Sequence, residues 1–203
     1  MRGDISLTGQ LTPRLIHAPG PGLAWKLKNT LRWSFIFGWI TNRLARGMSR
    51  LSGIPTLTAE LRAKLIKADG RVIDYGLLSS RVVTTVFVNE MVDQLQAEDS
   101  TWGDFKFHDS GVGTTAEAVG DTDIETTDGE SRATGSQTEG ASANIYRSVG
   151  TISYTTTKAI TEHGLFNAST AGELMDRSVF SAINVVNGDS IEFTYDLTVS
   201  AGG

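Results

Sequence analysis

The sequence contains no cysteine and only three histidines, and both shortages exclude kinds of chemistry. Without cysteine there is no disulfide framework, thiol nucleophile, iron–sulfur cluster or thiolate-ligated zinc. His17, His108 and His163 do not stand at the spacing of a metal site. The sequence therefore predicts no cofactor, no bound metal and no catalytic residue, and we expect a protein that is not an enzyme.

Long apolar runs are also missing. No run approaches the ~20 apolar residues that a membrane-spanning helix needs, and no apolar stretch of a secretion signal directly follows the first residues. Hydrophobic residues nevertheless make up 39% of the 203 residues and charged residues 20%. This mixture can build a core, so the composition excludes a wholly disordered chain.

Charge is distributed unevenly along the chain. Residues 1–82 carry 13 Lys or Arg and 4 Asp or Glu, a net charge of +9, whereas residues 83–203 carry 5 and 19, a net charge of −14. Such a division predicts a basic arm and an acidic body that have different neighbours.

Residues 1–56 are interpreted as a basic, aromatic-rich N-terminal arm. Prolines and glycines in residues 1–22 favour extended chain. Residues 23–50 contain a dense aromatic and aliphatic run between groups of Lys and Arg. The candidate partner-binding residues of the arm are Trp25, Lys26, Lys28, Arg32, Trp33, Phe35, Phe37, Trp39, Arg43 and Arg46.

This arm has more than one reading. Burial against the body or a neighbouring subunit is the main one, because so apolar a segment would aggregate if it stayed exposed. Contact with a membrane interface and binding of nucleic acid by the basic residues remain as alternatives.

Residues 57–203 predict a mainly β body, an antiparallel β-sandwich with one or two helices. Apolar runs on both sides of Asp69-Gly70 predict a hairpin, since glycine adopts the positive φ of a tight turn at little cost. Strict alternation from Ile191 to Val199 predicts a strand with one buried face. A further strand is predicted over 179–186, before an Asn-Gly turn.

Three further local features of the body are predicted. A helix is predicted over about 81–97, capped by Ser79 or Ser80, with one apolar face. A change of apolar phase predicts a β-bulge at Gly150. The composition of 109–143 predicts a flexible polar surface loop. The apolar face of the helix is expected to comprise Val83, Phe87, Met91 and Leu95.

Candidate chemical motifs are interpreted as structural. The G-x-G-x-x-A string that begins at Gly111 lacks the amphipathic helix of a dinucleotide site. His108, Asp109 and Ser110 are neighbours on one strand, which does not suit a catalytic triad. His163 is expected to be a structural histidine, hydrogen-bonded in a turn between strands.

A group of four carboxylates between Asp121 and Asp128 has two possible interpretations. Alternating carboxylates can hold Ca²⁺, but the order of residues here departs from the EF-hand loop, so a solvated acidic loop is the main interpretation. The carboxylates are Asp121, Asp123, Glu125 and Asp128.

Three segments of the body together resemble virion proteins of tailed bacteriophages. The first is 107–122, the second is 159–166 continuing to 176–180, and the third is 187–190 with the strand that follows. The resemblance covers roughly 57–203 and not the arm. It implies a structural component of a phage particle with a sandwich-like body, and it supplies no catalytic residues.

The resemblance and the charge division lead to one expected function. We expect a non-enzymatic capsid cement or decoration protein that docks its arm on neighbouring subunits and stabilises the phage head. A tail, tail-fibre or adaptor component is the alternative. The expected partners are other virion proteins, the major capsid protein among them, and further copies of this chain. We expect no small-molecule substrate and no membrane or nucleic-acid partner, with assembly in the host cytoplasm and a final location in the virion.

Overall fold

The structure, a computed structural model, describes residues 56–80, 83–96 and 104–201. Within them the chain forms nine strands and one helix: β1 Thr56–Ile66, β2 Val72–Ser79, α1 Thr85–Leu95, β3 Phe107–Gly111, β4 Ala133–Thr134, β5 Ser136–Glu139, β6 Ile145–Ser153, β7 Lys158–Phe166, β8 Leu174–Val185 and β9 Ser190–Ser200.

The strands form two antiparallel sheets that pack face to face. The five-stranded sheet has the order β2-β1-β9-β6-β5, and the four-stranded sheet has the order β4-β3-β7-β8. One cluster of buried apolar side chains from both sheets, including Leu61, Phe193 and Ile183, fills the space between them. The sequence prediction of an antiparallel β-sandwich body is therefore confirmed.

The alternation of apolar and polar side chains along a strand determines which side chains lie in the core. In β9, the central strand of the larger sheet, Ile191, Phe193, Tyr195 and Leu197 are all buried. Each large apolar side chain buried in this way contributes about 1.5–3 kcal/mol. The alternation predicted for this strand is confirmed as far as Leu197, whereas Val199 near the end of the strand is 43% exposed.

The predicted hairpin is also present. β1 and β2 pair in an antiparallel register, and the turn between them holds Gly70 at a φ of +84°. The amide of Gly70 donates to the carbonyl of Lys67 at 2.8 Å. Because an L side chain rarely adopts this backbone conformation, glycine suits the position.

The helix begins later than the sequence predicts. Thr84, rather than Ser79 or Ser80, is the N-cap, and its Oγ1 accepts a hydrogen bond from the amide of Phe87 at 3.2 Å. Val83 forms a β-bridge with Asp176 of β8, and a residue whose backbone is used in this way cannot be the first turn of a helix.

The expected apolar face of the helix is only partly right. Phe87 is buried and Met91 is half-buried, but Leu95 is 86% exposed. The last turn of α1 therefore does not pack on the described part of the body.

The bulge predicted at Gly150 is wrong. β6 pairs with β9 in an unbroken register from Ile145 to Ser153. The inward-facing positions 148 and 150 hold serine and glycine because the His108 ring occupies the space beside them. A Cβ at Gly150 would lie 2.7 Å from Cγ of His108. The apparent change of phase comes from a polar patch inside the sandwich.

The range 109–143 contains more regular structure than the predicted loop. It includes the last residues of β3 and both short strands β4 and β5. Between β3 and β4 the chain 112–132 is irregular, and most of its residues are half-buried or exposed. This segment lies on the face of the smaller sheet that is turned away from the sandwich core, as its contacts with β7 show below.

Candidate functional site

The ten candidate residues of the arm lie outside the described residues, and their role in partner binding remains a prediction. They are Trp25, Lys26, Lys28, Arg32, Trp33, Phe35, Phe37, Trp39, Arg43 and Arg46. The described body instead offers one open apolar surface and several buried polar clusters.

The open surface is a pocket of about 280 Å³ at the end of the sandwich where β1 begins. Phe87 of α1 and Phe105 form one wall, with their rings edge to face at 5.1 Å. Tyr146 of β6 fixes the other side, because its hydroxyl donates to the carbonyl of Phe105. Among the residues that the structure describes, no charged side chain lines this pocket. Its lining is Leu57, Phe87, Met91, Phe105, Gln137, Tyr146, Met175, Leu197 and Val199.

A second, wider pocket of about 520 Å³ adjoins the first along β5 and β6. The two share Gln137, Tyr146 and Val199 in their linings. We call the two pockets together the apolar groove. Sequence reasoning missed this groove, since its walls come from several separate parts of the chain and no local pattern marks them.

Helix α1 also presents apolar side chains to solvent. Val88, Val92 and Leu95 stand at the i, i+4 and i+7 positions and are exposed, so they lie on one helix face. That face is next to the one that carries Phe87 and Met91 to the groove. The apolar surface therefore extends from the groove onto the helix.

A chain of hydrogen bonds inside the sandwich joins two of the three histidines. Nε2 of His108 lies 2.8 Å from Oγ of Ser148, and its Nδ1 lies 2.9 Å from Nε2 of His163. Burial lowers the pKa of His108 to about 3. Burial also lowers the pKa of His163 well below its ordinary value, with His108 adding to the effect. Both rings are therefore neutral at physiological pH.

The expected position of His163 in a turn is wrong. Glu162 and His163 lie in the middle of β7 and are fully buried. The glycine and threonine around them, which resemble turn residues, are there because two polar side chains and the segment 112–132 pack closely on this strand.

Asp176 is a second buried polar group on the core side of the smaller sheet. Its Oδ1 accepts from Ser178 at 2.8 Å, while Oδ2 has no hydrogen-bond partner. Burial raises the pKa of Asp176 to about 7, and the charge of Glu117 adds to the rise. The nearby Tyr195 hydroxyl also has no hydrogen-bond partner, and burial raises its pKa well above the ordinary value.

Glu162 organises the polar segment 112–132 on the opposite face of the same sheet. Its Oε1 accepts from the amides of Gly113 at 2.9 Å and Thr126 at 2.8 Å. Its Oε2 accepts from the amide of Glu125 at 2.9 Å and from Nε of Arg177 at 2.8 Å. We call this arrangement the Glu162 clamp. It satisfies a fully buried carboxylate with four donors.

Arg177 extends the clamp toward solvent. Its guanidinium also pairs with Asp121 at 3.0 Å and with Glu125 at 3.4 Å. Glu125 in turn accepts from the amide and hydroxyl of Thr115, and these bonds lower the pKa of Glu125. Two of the four acids of the proposed cation cluster therefore bind protein donors.

The other two acids of that cluster are engaged as well. Asp128 accepts from the hydroxyl of Ser110, and Asp123 lies 3.7 Å from Arg132. In the described part of the chain, no group of three or more His, Asp or Glu side chains is placed to hold a metal ion.

The clamp explains the two glycines of the G-x-G-x-x-A string. A Cβ at Gly111 would lie 2.5 Å from Oε1 of Glu162, and one at Gly113 would lie 2.6 Å from Cβ of Glu125. These positions need glycine because backbone and carboxylate approach closely, and the same requirement, with a phosphate in place of the carboxylate, produces glycine in nucleotide loops.

Asp109 and Ser110 also have structural partners. Asp109 accepts from Nε of Arg132 at 2.9 Å, and the Arg132 guanidinium lies 3.4 Å from the centre of the Phe166 ring. Ser110 lies 3.0 Å from the hydroxyl of Tyr154. None of these contacts joins Ser110 to His108, so the two side chains do not form a nucleophile and base.

Comparisons with known proteins do not assign this chain to a family. No family model, no curated protein and no solved structure matches this chain. Among the described residues, none of the helical structure is both long and apolar enough to cross a bilayer. The function must be argued from the chain itself.

Proposed function

We propose that this chain is a non-catalytic structural subunit of a tailed-bacteriophage particle, a capsid cement or decoration protein. In this proposal the body is a rigid module, and the arm docks on neighbouring virion proteins, including the major capsid protein and other copies of the chain. The chain is made in the host cytoplasm and ends in the virion.

Contacts between the segments that resemble phage virion proteins support the proposal. Gly113 and Asp121 come from the first segment, Glu162 from the second and Arg177 from its continuation, and all four meet in the Glu162 clamp. The third segment contains Asp189, which accepts from the amides of Ala68 and Val186 and ties together two hairpin turns. The resembling segments therefore supply residues to the Glu162 clamp and to the contacts of Asp189.

One observation carries the proposal. The polar clusters of the body, including the buried histidines and the Glu162 clamp, bind to other parts of the body, whereas no described residue fills the apolar groove beside the start of β1. An open apolar groove rimmed by polar residues is typical of a surface that binds protein. Such a contact repeated over a symmetric shell needs little free energy per subunit, because many weak contacts act together.

Reconstruction of the intact particle that contains this chain is the direct test. We expect density for the β-sandwich on the outer surface of the head, with residues 23–50 in contact with neighbouring subunits. Density on the tail would favour the alternative of a tail or adaptor component. Absence of the chain from purified particles would contradict both positions.

A binding assay with the full-length chain tests the role of the arm. Triple substitution of Trp33, Phe37 and Trp39 by alanine removes aromatic anchors, and we expect at least a tenfold loss of binding to particles that lack the chain. Substitution of the exposed Tyr75 of β2 by alanine is the control, because it removes an aromatic ring from the body. Equal binding by all three proteins would refute docking through the arm.

A further inference from the structure

The apolar groove lies where residues 1–55 join the body. Thr56 is the first residue of β1 and pairs with Ser200 of β9. The next pair along the two strands is Leu57 and Val199, and both side chains line the groove. The residues that precede β1 therefore join the body at the rim of this groove.

The composition of the groove selects an apolar occupant. The smaller pocket has only apolar side chains, one tyrosine and one glutamine in its lining, so a charged group placed there would lose its hydration without a partner. The wider pocket adds one carboxylate, that of Glu139. An aromatic segment with basic residues near it fits both pockets.

Residues 33–40 have this composition. They read Trp-Ser-Phe-Ile-Phe-Gly-Trp-Ile, and Arg43 and Arg46 follow them. Residues 1–55 carry 8 Lys or Arg and 1 Asp, a net charge of +7, whereas residues 56–203 carry 10 Lys or Arg and 22 Asp or Glu, a net charge of −12. The charges therefore favour contact between the arm and the body.

The length of the connection allows the contact within one molecule. Fifteen residues, 41–55, separate the aromatic segment from β1. A chain of this length has a root-mean-square span of roughly 20 Å, from about 5–6 Å times the square root of the residue number. Tethering at this distance gives an effective concentration on the order of millimolar, far above the micromolar concentration of a second copy in dilute solution.

We propose that, in the free chain, the aromatic segment 33–40 occupies the apolar groove of its own body. This inference deepens the proposed function, and it rests on that function because it treats the arm as the element that docks. It adds that the groove shields the arm before assembly, when an exposed run of this kind would aggregate. On assembly, the arm leaves its own groove, and the groove becomes available to the equivalent arm of a neighbour, as in domain swapping.

Disulfide trapping tests this inference, since the chain has no native cysteine. The full-length double variant Phe37→Cys/Val199→Cys is oxidised at low micromolar concentration and examined on a non-reducing gel with peptide mapping. The control is Phe37→Cys/Val186→Cys. Val186 and Val199 are equally accessible, at 45% and 43% exposed. Val186, however, lies beside the turn before β9, at the opposite end of that strand from Val199 and about 30 Å away from it.

We expect an internal disulfide in the monomer at a yield at least tenfold above that of the control. A disulfide that links two chains would overturn the inference in favour of a second copy's arm. Equal yields in the two variants would overturn it as well, because they would indicate random collision. The trapping uses free chain, so its result does not depend on whether the chain binds particles.

A measurement without engineered cysteines guards against a perturbed fold. Val199→Glu places a charge in the groove and should release the aromatic segment, which shifts the tryptophan emission to longer wavelength. Val186→Glu should leave the emission unchanged, and far-UV circular dichroism should be the same for both variants. An unchanged emission of Val199→Glu, or the same shift in both variants, would contradict occupancy of the groove.

Discussion

Glu162→Gln is the substitution that tests most directly how the body is held together. The side chain keeps its shape, but one acceptor oxygen becomes an NH₂ group that faces N–H donors. Whichever way the amide turns, two of the four donors of the Glu162 clamp lose their acceptor: either Gly113 and Thr126, or Glu125 and Arg177. The substitution therefore damages both the hydrogen bonding and the charge balance of a fully buried site.

The magnitude follows from these contacts. A hydrogen bond to a charged group contributes about 1.5–3 kcal/mol, and removal of one partner from a buried ion pair costs about 3–5 kcal/mol. We expect Glu162→Gln to lower the free energy of unfolding by about 3–5 kcal/mol, because Asp121 and Glu125 still compensate part of the Arg177 charge. This is a large fraction of the ~5–15 kcal/mol typical of a domain.

Urea unfolding followed by circular dichroism measures the effect, and amide hydrogen exchange locates it. The matched control is Glu192→Gln, since Glu192 pairs with Lys64 at 3.1 Å on the exposed face of the larger sheet; we expect a change below about 1 kcal/mol there. Exchange at the amides of Gly113, Glu125 and Thr126 should accelerate only in Glu162→Gln. A loss below about 1 kcal/mol, or unchanged exchange at these amides, would refute the reasoning.

Two further predictions concern pH. Burial raises the pKa of Asp176 to about 7 from 3.8, so the folded state loses stability as pH rises from about 3.8 to about 7 and loses no more above that. Asp176→Asn should therefore stabilise the protein more at pH 8 than at pH 5, by about 2–3 kcal/mol in chemical unfolding, and an equal effect at both pH values would contradict this. His108 and His163 have lowered pKa values in the folded state, so stability is lost as pH falls below the unfolded value of about 6.5. In the Asp176→Asn background, the free energy of unfolding should fall from pH 7.5 to 5, with about 2 kcal/mol of the loss from His108 alone. A flat profile would show that the rings are not held neutral.

The sequence predicts the larger sheet best because its strands obey simple patterns. In β9 one face is apolar and the other polar, and at Asp69-Gly70 the turn needs a residue of positive φ. Both signals are local, and each depends on the covalent neighbours alone. The smaller sheet has fewer such signals: the sequence predicts a strand over 179–186, which is the second half of β8. The rest of this sheet has no clear alternation because both its faces are covered, one by the sandwich core and one by residues 112–132.

Buried polar residues caused two errors of the sequence analysis, the bulge at Gly150 and the turn at His163. Ser148 and Gly150 interrupt the apolar phase of β6 because the His108 ring packs there. Glu162 and His163 look like turn residues, yet each has its partners on distant parts of the chain. A charged residue and a histidine next to one another inside an otherwise apolar strand are the one signal that could have indicated these partners.

The apolar groove was out of reach for a similar reason. Leu57, Phe87, Phe105 and Tyr146 are brought together only by the pairing of strands far apart in sequence and by the position of α1. Each of these residues alone reads as an ordinary core residue. Only the structure shows that a space remains between them which no described residue fills.

The Glu162 clamp has a practical consequence for anyone who wishes to present foreign peptides on this module. The carboxylate of Glu162 binds main-chain amides of 112–132 and thereby fixes the path of this segment. The identity of the side chains that point to solvent does not matter for these bonds. Thr122 is exposed between Asp121, which pairs with Arg177, and Asp123. An epitope grafted between residues 122 and 123 would be displayed between two anchored points, the Asp121–Arg177 pair before it and the bond from the Glu125 amide to Glu162 after it.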